Sequence, residues 1–448
     1  MISISGKNWE ETYVKRRILE KVKIDNDLPD ILAKIVVSRN FDKDEIYSIK
    51  NKISFSNPFF EDNDFFLAEQ ILYKSIEKKK KIIILGDYDV DGCVSTSLFV
   101  NFFKEINYPV KYFIPDRIKN GYGASLELIK KLSKDKPDLF IMVDCGSTSY
   151  DSIEFLKKNK IKTLIIDHHE IYRPFPRADV IINLKKDTNN QYSEYFCASS
   201  LSYFFLDYYI KKNLLNINFD KYLSYILLAI IADVMPLRKI NRKLAIKTLK
   251  NFDLKKDHLF KEIFELRKIN RPIEIDDFGF LLAPLINSAG RLGNANIVIS
   301  LLTSSNKRIS REILNNLFVL NEKRKKIEDN FLNEINFRKL KESSKNILII
   351  YKKIINEGII GIIASRLKDY FNKPCIVMTK SGSLYKASAR STIEFNLGRF
   401  IKQAIDKKII ISGGGHNLAA GFSIKQNQIQ KFDEFINSNY IKKILKMI

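Results

Sequence analysis

The chain has 448 residues, 45% hydrophobic and 29% charged, with a formal net charge of +24. That balance excludes a disordered chain and leaves apolar material for two or three folded domains. The basic excess fits a polyanionic partner, nucleic acid before anything else, although Lys, Ile and Asn are abundant throughout and an AT-rich coding bias would raise Lys with no partner at all. Cys93, Cys145, Cys197 and Cys375 form no CxxC pair, which argues against a disulfide framework or a zinc ribbon and fits a reducing cytoplasm. No stretch approaches the ~20 apolar residues of a membrane helix, and the N-terminus lacks the apolar core of a signal peptide.

In chain order, residues 1–54 read as a helical N-terminal segment, and Asp64 to Lys79 carries apolar residues at helical spacing. Lys81-Ile-Ile-Ile-Leu85 is a short apolar run closed by Gly86-Asp87; Leu139 to Val143 closes on Asp144-Cys-Gly146, and Thr163 to Ile166 on Asp167-His168-His169. Amphipathic stretches at Ser125 to Ser133 and Tyr150 to Lys160 separate them. Apolar strands alternating with helices predict an α/β fold with a doubly wound parallel sheet, whose ligands sit beyond the strands' carboxyl ends. Tyr222 to Asp233 reads as a helix, and Leu285-Ile-Asn-Ser-Ala-Gly-Arg-Leu-Gly293 as a turn-rich segment. A charged stretch from about Asn306 to Lys341 reads as a connecting helix. A second α/β unit begins at Asn346 and carries the glycine-rich Ser412-Gly-Gly-Gly-His416.

The strongest chemical signal is Gly86-Asp-Tyr-Asp-Val-Asp-Gly92. Asp87, Asp89 and Asp91, packed this closely, repel one another, and a hard divalent cation relieves the repulsion; an acidic turn or helix cap is the plainer alternative. His168 and His169 are two of only four histidines and follow Asp167 at a strand end, a donor set that favours Mn²⁺ while still suiting Mg²⁺. Asp144 and Asp233 add acids from other segments, enough for two metal ions that activate a water and stabilise a leaving oxygen. No GxxxxGK[ST] loop and no GxSxG elbow is present. Ser288-Ala-Gly290 and Gly413 to Gly415 either let backbone N–H groups approach an anion or merely turn the chain.

The succession GDYDVDG, VDCG, DHH, ADVMPL, NSAGRLG, SAR and GGGHNLAAGF, with PDRIKNGYG after the first, resembles the DHH phosphoesterase superfamily and within it the RecJ-like 5′→3′ exonucleases specific for single-stranded DNA. The resemblance runs from about Trp9 to Phe422. It implies a DHH catalytic domain (55–300), a connecting helix (301–345) and a smaller α/β DHH-associated domain (346–448) that clamps the strand. It places metal ligands at Asp89, Asp91, Asp144, His168 and Asp233, with Asp87 as neighbour or further ligand, and makes His169 the phosphate-contacting or leaving-group residue. The catalytic set is then His169, Asp144 and Asp89. Arg117, Asn287, Arg291, Ser388, Arg390 and His416 match positions that grip phosphates. Single-stranded DNA is the implied substrate, with single-strand-binding protein and a helicase as partners in recombination and repair. Ile355-Asn356 and Lys386-Ala-Ser388 depart from the usual pattern, and the oligonucleotide-binding barrel that usually follows is expected to be missing. The rivals are a DHH phosphodiesterase of short oligonucleotides or cyclic dinucleotides, and a non-catalytic scaffold.

Overall fold

The computed structural model describes residues 8–50, 54–117, 123–254, 257–352 and 354–444. A five-stranded sheet forms first: β1 (Ile82–Leu85), β2 (Lys111–Phe113), β3 (Leu139–Val143), β4 (Lys162–Ile166) and β5 (Val180–Ile182). The order is β2-β1-β3-β4-β5, and every pairing is parallel. The strands are short and apolar on both faces because both are covered. Ile82 and Ile84, with Leu139, Ile141 and Val143, face the core that holds helices Val90–Glu105 and Ala198–Lys212. Ile83 and Leu85, with Phe140 and Met142, face the core beneath helices Leu126–Leu132 and Tyr150–Lys158. Chain order reverses between β1 and β3, so a crevice opens at their carboxyl ends. β2 and β5, three residues each, were not anticipated from the sequence.

The helix Lys307–Asn333 starts on the Asn306 cap, and Leu314 and Leu317 anchor it in the first core. Phe331, near its other end, packs into a cluster with Leu348, Ile363 and Val377 of the second unit. The connecting helix ends at Asn333 rather than running on, and the short helix Phe337–Lys341 follows. Beyond it lie β6 (Leu348–Lys352), β7 (Cys375–Ser381), β8 (Leu384–Arg390), β9 (Ser412–Gly415) and β10 (Ala419–Ile424), ordered β6-β7-β8-β10-β9. Only the β6–β7 pairing is parallel.

Two segments differ from their sequence reading. Leu285 to Gly293 is not turn-rich: Ala283–Leu292 is a helix with Pro at its start. Its small residues serve packing, since a Cβ on Gly290 would sit 2.3 Å from the Tyr88 carbonyl oxygen, inside the acidic loop. Ser412 to Gly415 is an edge strand paired with β10 rather than a turn. Gly413 and Gly415 are needed there because Cβ atoms would lie 2.5 Å from the Phe422 Cβ and 2.4 Å from the Ala419 carbonyl oxygen.

Gly290→Ala should therefore destabilise the protein by about 1–3 kcal/mol, the usual cost of overpacking. Chemical denaturation checks it, and a change inside about 0.5 kcal/mol would mean that helix and acidic loop part freely.

Candidate active site

β1 ends at Leu85, and the chain turns into helix Val90–Glu105 through the acidic loop. Asp87 is buried with its Oδ1 lacking a hydrogen-bond partner. Asp89 is the cap of that helix, its Oδ1 accepting from Gly92 N–H at 3.0 Å. The plainer reading of an acidic cap thus holds for one oxygen of Asp89. Asp91 turns the other way, accepting from the N–H groups of Ala198 (2.7 Å) and Ser199 (2.9 Å), where helix Ala198–Lys212 begins.

Asp144 follows β3 in the left-handed region, with φ of 60°. Both of its carboxylate oxygens are buried without a hydrogen bond. His168 Nε2 lies 3.3 Å from Asp144 Oδ1, 3.6 Å from Asp233 Oδ2 and 3.7 Å from Asp91 Oδ2. Asp233 arrives from the end of helix Leu223–Ala232. His169 is held differently: its Nδ1 is 2.8 Å from Asp167 Oδ1, which also accepts from the His168 and His169 N–H groups. Asp167 therefore orients the pair, a role that its place in the motif marked but that only the contacts assign.

Burial raises the Asp144 carboxyl well above its ordinary value, helped by Asp89, Asp91 and Asp87, and Asp87 rises for the same reasons. Burial and the charges of Asp91 and Asp89 push Asp233 up to about 8. His169 resists burial through its bond to Asp167 and reaches about 9, whereas burial holds His168 below its usual value. Burial works against the Asp167 carboxylate too, yet the His169 hydrogen bond and both imidazoles keep it well below the usual range. Three donor sets have atoms within 4.8 Å of one another: Asp87, Asp89 and Asp144; Asp91, His168 and Asp233; and Asp144, His168 and His169. Unpartnered carboxylate oxygens, repelled upward in pKa and joined by imidazole, are what hard divalent cations require. The residues fit two such ions.

Cationic groups come from both units. The Arg117 guanidinium lies 5.0 Å from the Tyr88 ring centre, and the rest of that motif, 118–122, falls outside the described residues. Arg291 donates to the Gly358 carbonyl at 2.9 Å, joining helix Ala283–Leu292 to the second unit. Burial, then Arg117, Arg324 and Arg390, lower it to about 10. At the end of β8, Arg390 donates to Ser388 Oγ (3.2 Å) and to the Ala389 carbonyl (2.9 Å), its own pKa lowered by burial and by Arg117. Arg324, absent from the sequence reading, is buried on the long helix between Asn321 and Glu328. Asn287, Arg291 and Arg324 line a cavity of about 460 Å³ whose apolar wall includes Val234, Leu237 and Phe280. Phe280 stands on a π-turn, Phe278–Leu282, and is 84% exposed. His416 is at the exposed tip beyond β9; partial burial lowers its pKa, with Lys185 and His169 acting the same way and Glu170 opposing them. Among the described residues no helix is long and apolar enough to cross a membrane.

Fold and donor set together define a metal-dependent phosphoesterase of the DHH class. The DHH family, N-terminal domain, matches residues 81–230, and the DHHA1 domain matches 344–442. The single-stranded-DNA-specific exonuclease RecJ of Haemophilus influenzae is 31% identical over 391 residues, 83% of this chain and 68% of that protein. RecJ of Escherichia coli is 26% identical over 94% of this chain and 76% of its own length. The chain belongs to the RecJ family. The fold agrees with the structure of Thermus thermophilus RecJ in complex with Mn²⁺, at a TM-score of 0.82 and 21% identity over 96% of this chain; the chain spans 62% of that one. A second RecJ structure, bound to manganese, has a TM-score of 0.71 and 23% identity over 87% of this chain and 95% of that one.

Without metal, the folded protein holds more protons than the unfolded chain between the ordinary carboxylate value of 3.8 and about 8, because Asp87, Asp144 and Asp233 are all raised. Its stability therefore falls as pH rises through that window. His169, raised to about 9, adds to the fall, while His168 and His416, both lowered, oppose it. Melting curves in chelator at about pH 5.5 and about pH 8 check this sign. The melting temperature should be lower at the higher pH, and added Mn²⁺ should raise it most there.

Proposed function

We propose that the chain is a 5′→3′ exonuclease of single-stranded DNA that hydrolyses phosphodiester bonds with two divalent ions, Mn²⁺ or Mg²⁺. The observation that carries this reading is the overlap of donor sets at Asp144 and His168 beneath arginines drawn from both units. Asp87, Asp89 and Asp144 would hold one ion, and Asp91, His168 and Asp233, with Asp144 shared, the other. Bound there, the ions would supply an activated water and stabilise charge on the phosphate and the leaving oxygen.

The remaining work falls to the chain's own side chains. His169, kept charged by Asp167 on Nδ1, donates from Nε2 to the scissile phosphate or to the departing 3′ oxygen. Arg117, Ser388 and Arg390 hold the terminal 5′ phosphate, and forked guanidinium geometry suits that contact. Asn287, Arg291 and Arg324 take the following phosphate, while Phe280 and Val234 give bases an apolar wall to lie against. His416 closes the cleft from the second unit. The basic excess of +24 then serves the strand as a whole. Recombination and repair in the cytoplasm, with single-strand-binding protein and a helicase as partners, follow from the family and from four buried free cysteines.

Asp144→Ala should abolish hydrolysis of end-labelled single-stranded DNA while the protein stays folded, because no water replaces a shared carboxylate without altering the spacing of the ions. Near-normal turnover at saturating Mn²⁺ in a folded variant would sink the two-ion reading.

A terminal-phosphate contact through Arg390 is worth roughly 1.5–3 kcal/mol, or about 10- to 150-fold. Strands with a 5′ phosphate should accordingly be cut faster than 5′-hydroxyl strands, and Arg390→Ala should remove much of that gap without weakening Mn²⁺ binding. The check is kcat/KM on both substrates for both proteins. Equal values in the unaltered enzyme remove the phosphate reader, release from the 3′ end overturns the polarity, and preference for a dinucleotide over a long strand shifts the substrate to short oligonucleotides.

A further inference from the structure

β5 ends at Ile182, and the next residue, Asn183, is buried. Its Oδ1 accepts from Lys185 N–H at 2.9 Å, which starts the 3₁₀ turn Leu184–Lys186. Its Nδ2 donates to Ser147 Oγ at 2.8 Å and to the carbonyl oxygen of His169 at 2.9 Å. Only the NH₂ end of an amide can serve a carbonyl, so the way the group faces is settled by its partners. Ser147 gives its backbone N–H to Asp167 Oδ2 at 3.0 Å, and Asp167 Oδ1 holds the His169 ring at 2.8 Å. The contacts close a circuit from Asn183 through Ser147, Asp167 and His169 back to Asn183. It ties together the segments that follow β3, β4 and β5, and neither Asn183 nor Ser147 can itself ligate the ions through a carboxylate or imidazole.

We propose that Asn183 is a positioning residue for hydrolysis. By gripping the His169 carbonyl and the Ser147 hydroxyl, it holds the His169 imidazole in the orientation that its role at the scissile phosphate demands; the inference rests on that role. Starting the turn needs only the acceptor oxygen. The donor end does something separate, reaching 14 residues back along the chain to the backbone of this particular histidine. Groups that orient a reacting side chain commonly matter 10- to 100-fold, as outer partners of metal ligands do, because small misplacements of a catalytic group are costly.

Asn183→Ser separates the two ends, since serine keeps an acceptor for Lys185 N–H and is too short to reach His169 or Ser147. On a 5′-phosphorylated single strand, kcat should fall roughly 10- to 100-fold, with KM and Mn²⁺ affinity held within about twofold and the melting temperature nearly unchanged. In a His169→Ala background the same substitution should cost nothing more, because a residue acting through His169 has nothing left to position. Wild-type kcat in Asn183→Ser, losses that multiply in the double variant, or a loss confined to KM and melting temperature would each overturn the proposal. Should Asn183→Ser not fold, Ser147→Ala decides: it breaks one link of the circuit and leaves the turn alone, so it should lower kcat by a smaller factor and be silent beside His169→Ala. Unchanged kcat in Ser147→Ala would then overturn the proposal. Full activity in His169→Ala by itself would instead refute the reading of the site, so the two failures are told apart.

Discussion

Burying Asp87, Asp91 and Asp144 within reach of Asp89 and Asp233 puts like charges where water screens them poorly. A fold can tolerate that only by supplying compensation from fixed directions, and each carboxylate is treated differently. Asp89 spends one oxygen on the start of helix Val90–Glu105, and Asp91 spends both on the start of helix Ala198–Lys212. Asp167 is satisfied by four donors around it. Asp144 and one oxygen of Asp87 receive nothing from the protein. Helix starts thus steady the flanks of the cluster, and the strain concentrates at its centre, where a cation has most to relieve. The parallel sheet is what makes the arrangement possible, because its reversal between β1 and β3 delivers two acidic loops to the same crevice.

The arginines meet the converse problem. Burial lowers the Arg291 pKa, helped by Arg117, Arg324 and Arg390, and lowers that of Arg390, helped by Arg117. Fields of opposite sign from the acidic and the basic groups share one cleft without collapsing onto each other. Arg291 is turned onto a backbone carbonyl, Arg390 onto a hydroxyl and a carbonyl, and Arg324 onto Asn321 and Glu328. Arg291 and Arg390 are thus held by neutral partners, and Arg324 by an ion pair with Glu328 at 3.0 Å on its own helix.

Much of this architecture is legible in the sequence, and for physical reasons. Strands buried on both faces are unbroken apolar runs, and an aspartate after such a run has few structural reasons to be there, so Asp87, Asp144 and Asp167 announce the strand ends. The chemistry of Asp and His narrows the ligand to a divalent ion before any coordinate is known. What escapes is whatever depends on a neighbour distant in sequence. Three-residue strands such as β2 and β5 carry too little pattern to register. Glycine is a poor strand former, so the strand at Ser412–Gly415 read as a loop until its crowding against Phe422 was seen. NSAGRLG read as a turn because its small residues lower helix propensity, and tertiary packing overrides that preference. Arg324 looks like any other charge on a long polar helix until burial singles it out. Asn183 gives no signal in one dimension at all.

The same packing explains how groups on two units keep register at ångström scale. Gly290 presses on the Tyr88 carbonyl, in the middle of the acidic loop, at a distance that admits no Cβ. Its neighbour Arg291 receives Gly358 of the second unit against its own carbonyl just as closely, a Cβ there falling 2.3 Å from that oxygen, while the Arg291 side chain returns a hydrogen bond to the Gly358 carbonyl. Two adjacent residues of one helix therefore gauge the separation between the acidic loop and the second unit by backbone contact. Side chains can rotate to absorb a displacement, but backbone in contact with backbone cannot. The spacing between the metal ligands and the β8 arginine follows from these contacts, with the long helix bracing them from Leu314 to Phe331. A site whose acidic loop and arginines come from different units needs that separation fixed, and glycines at both contacts are the means that leave least slack.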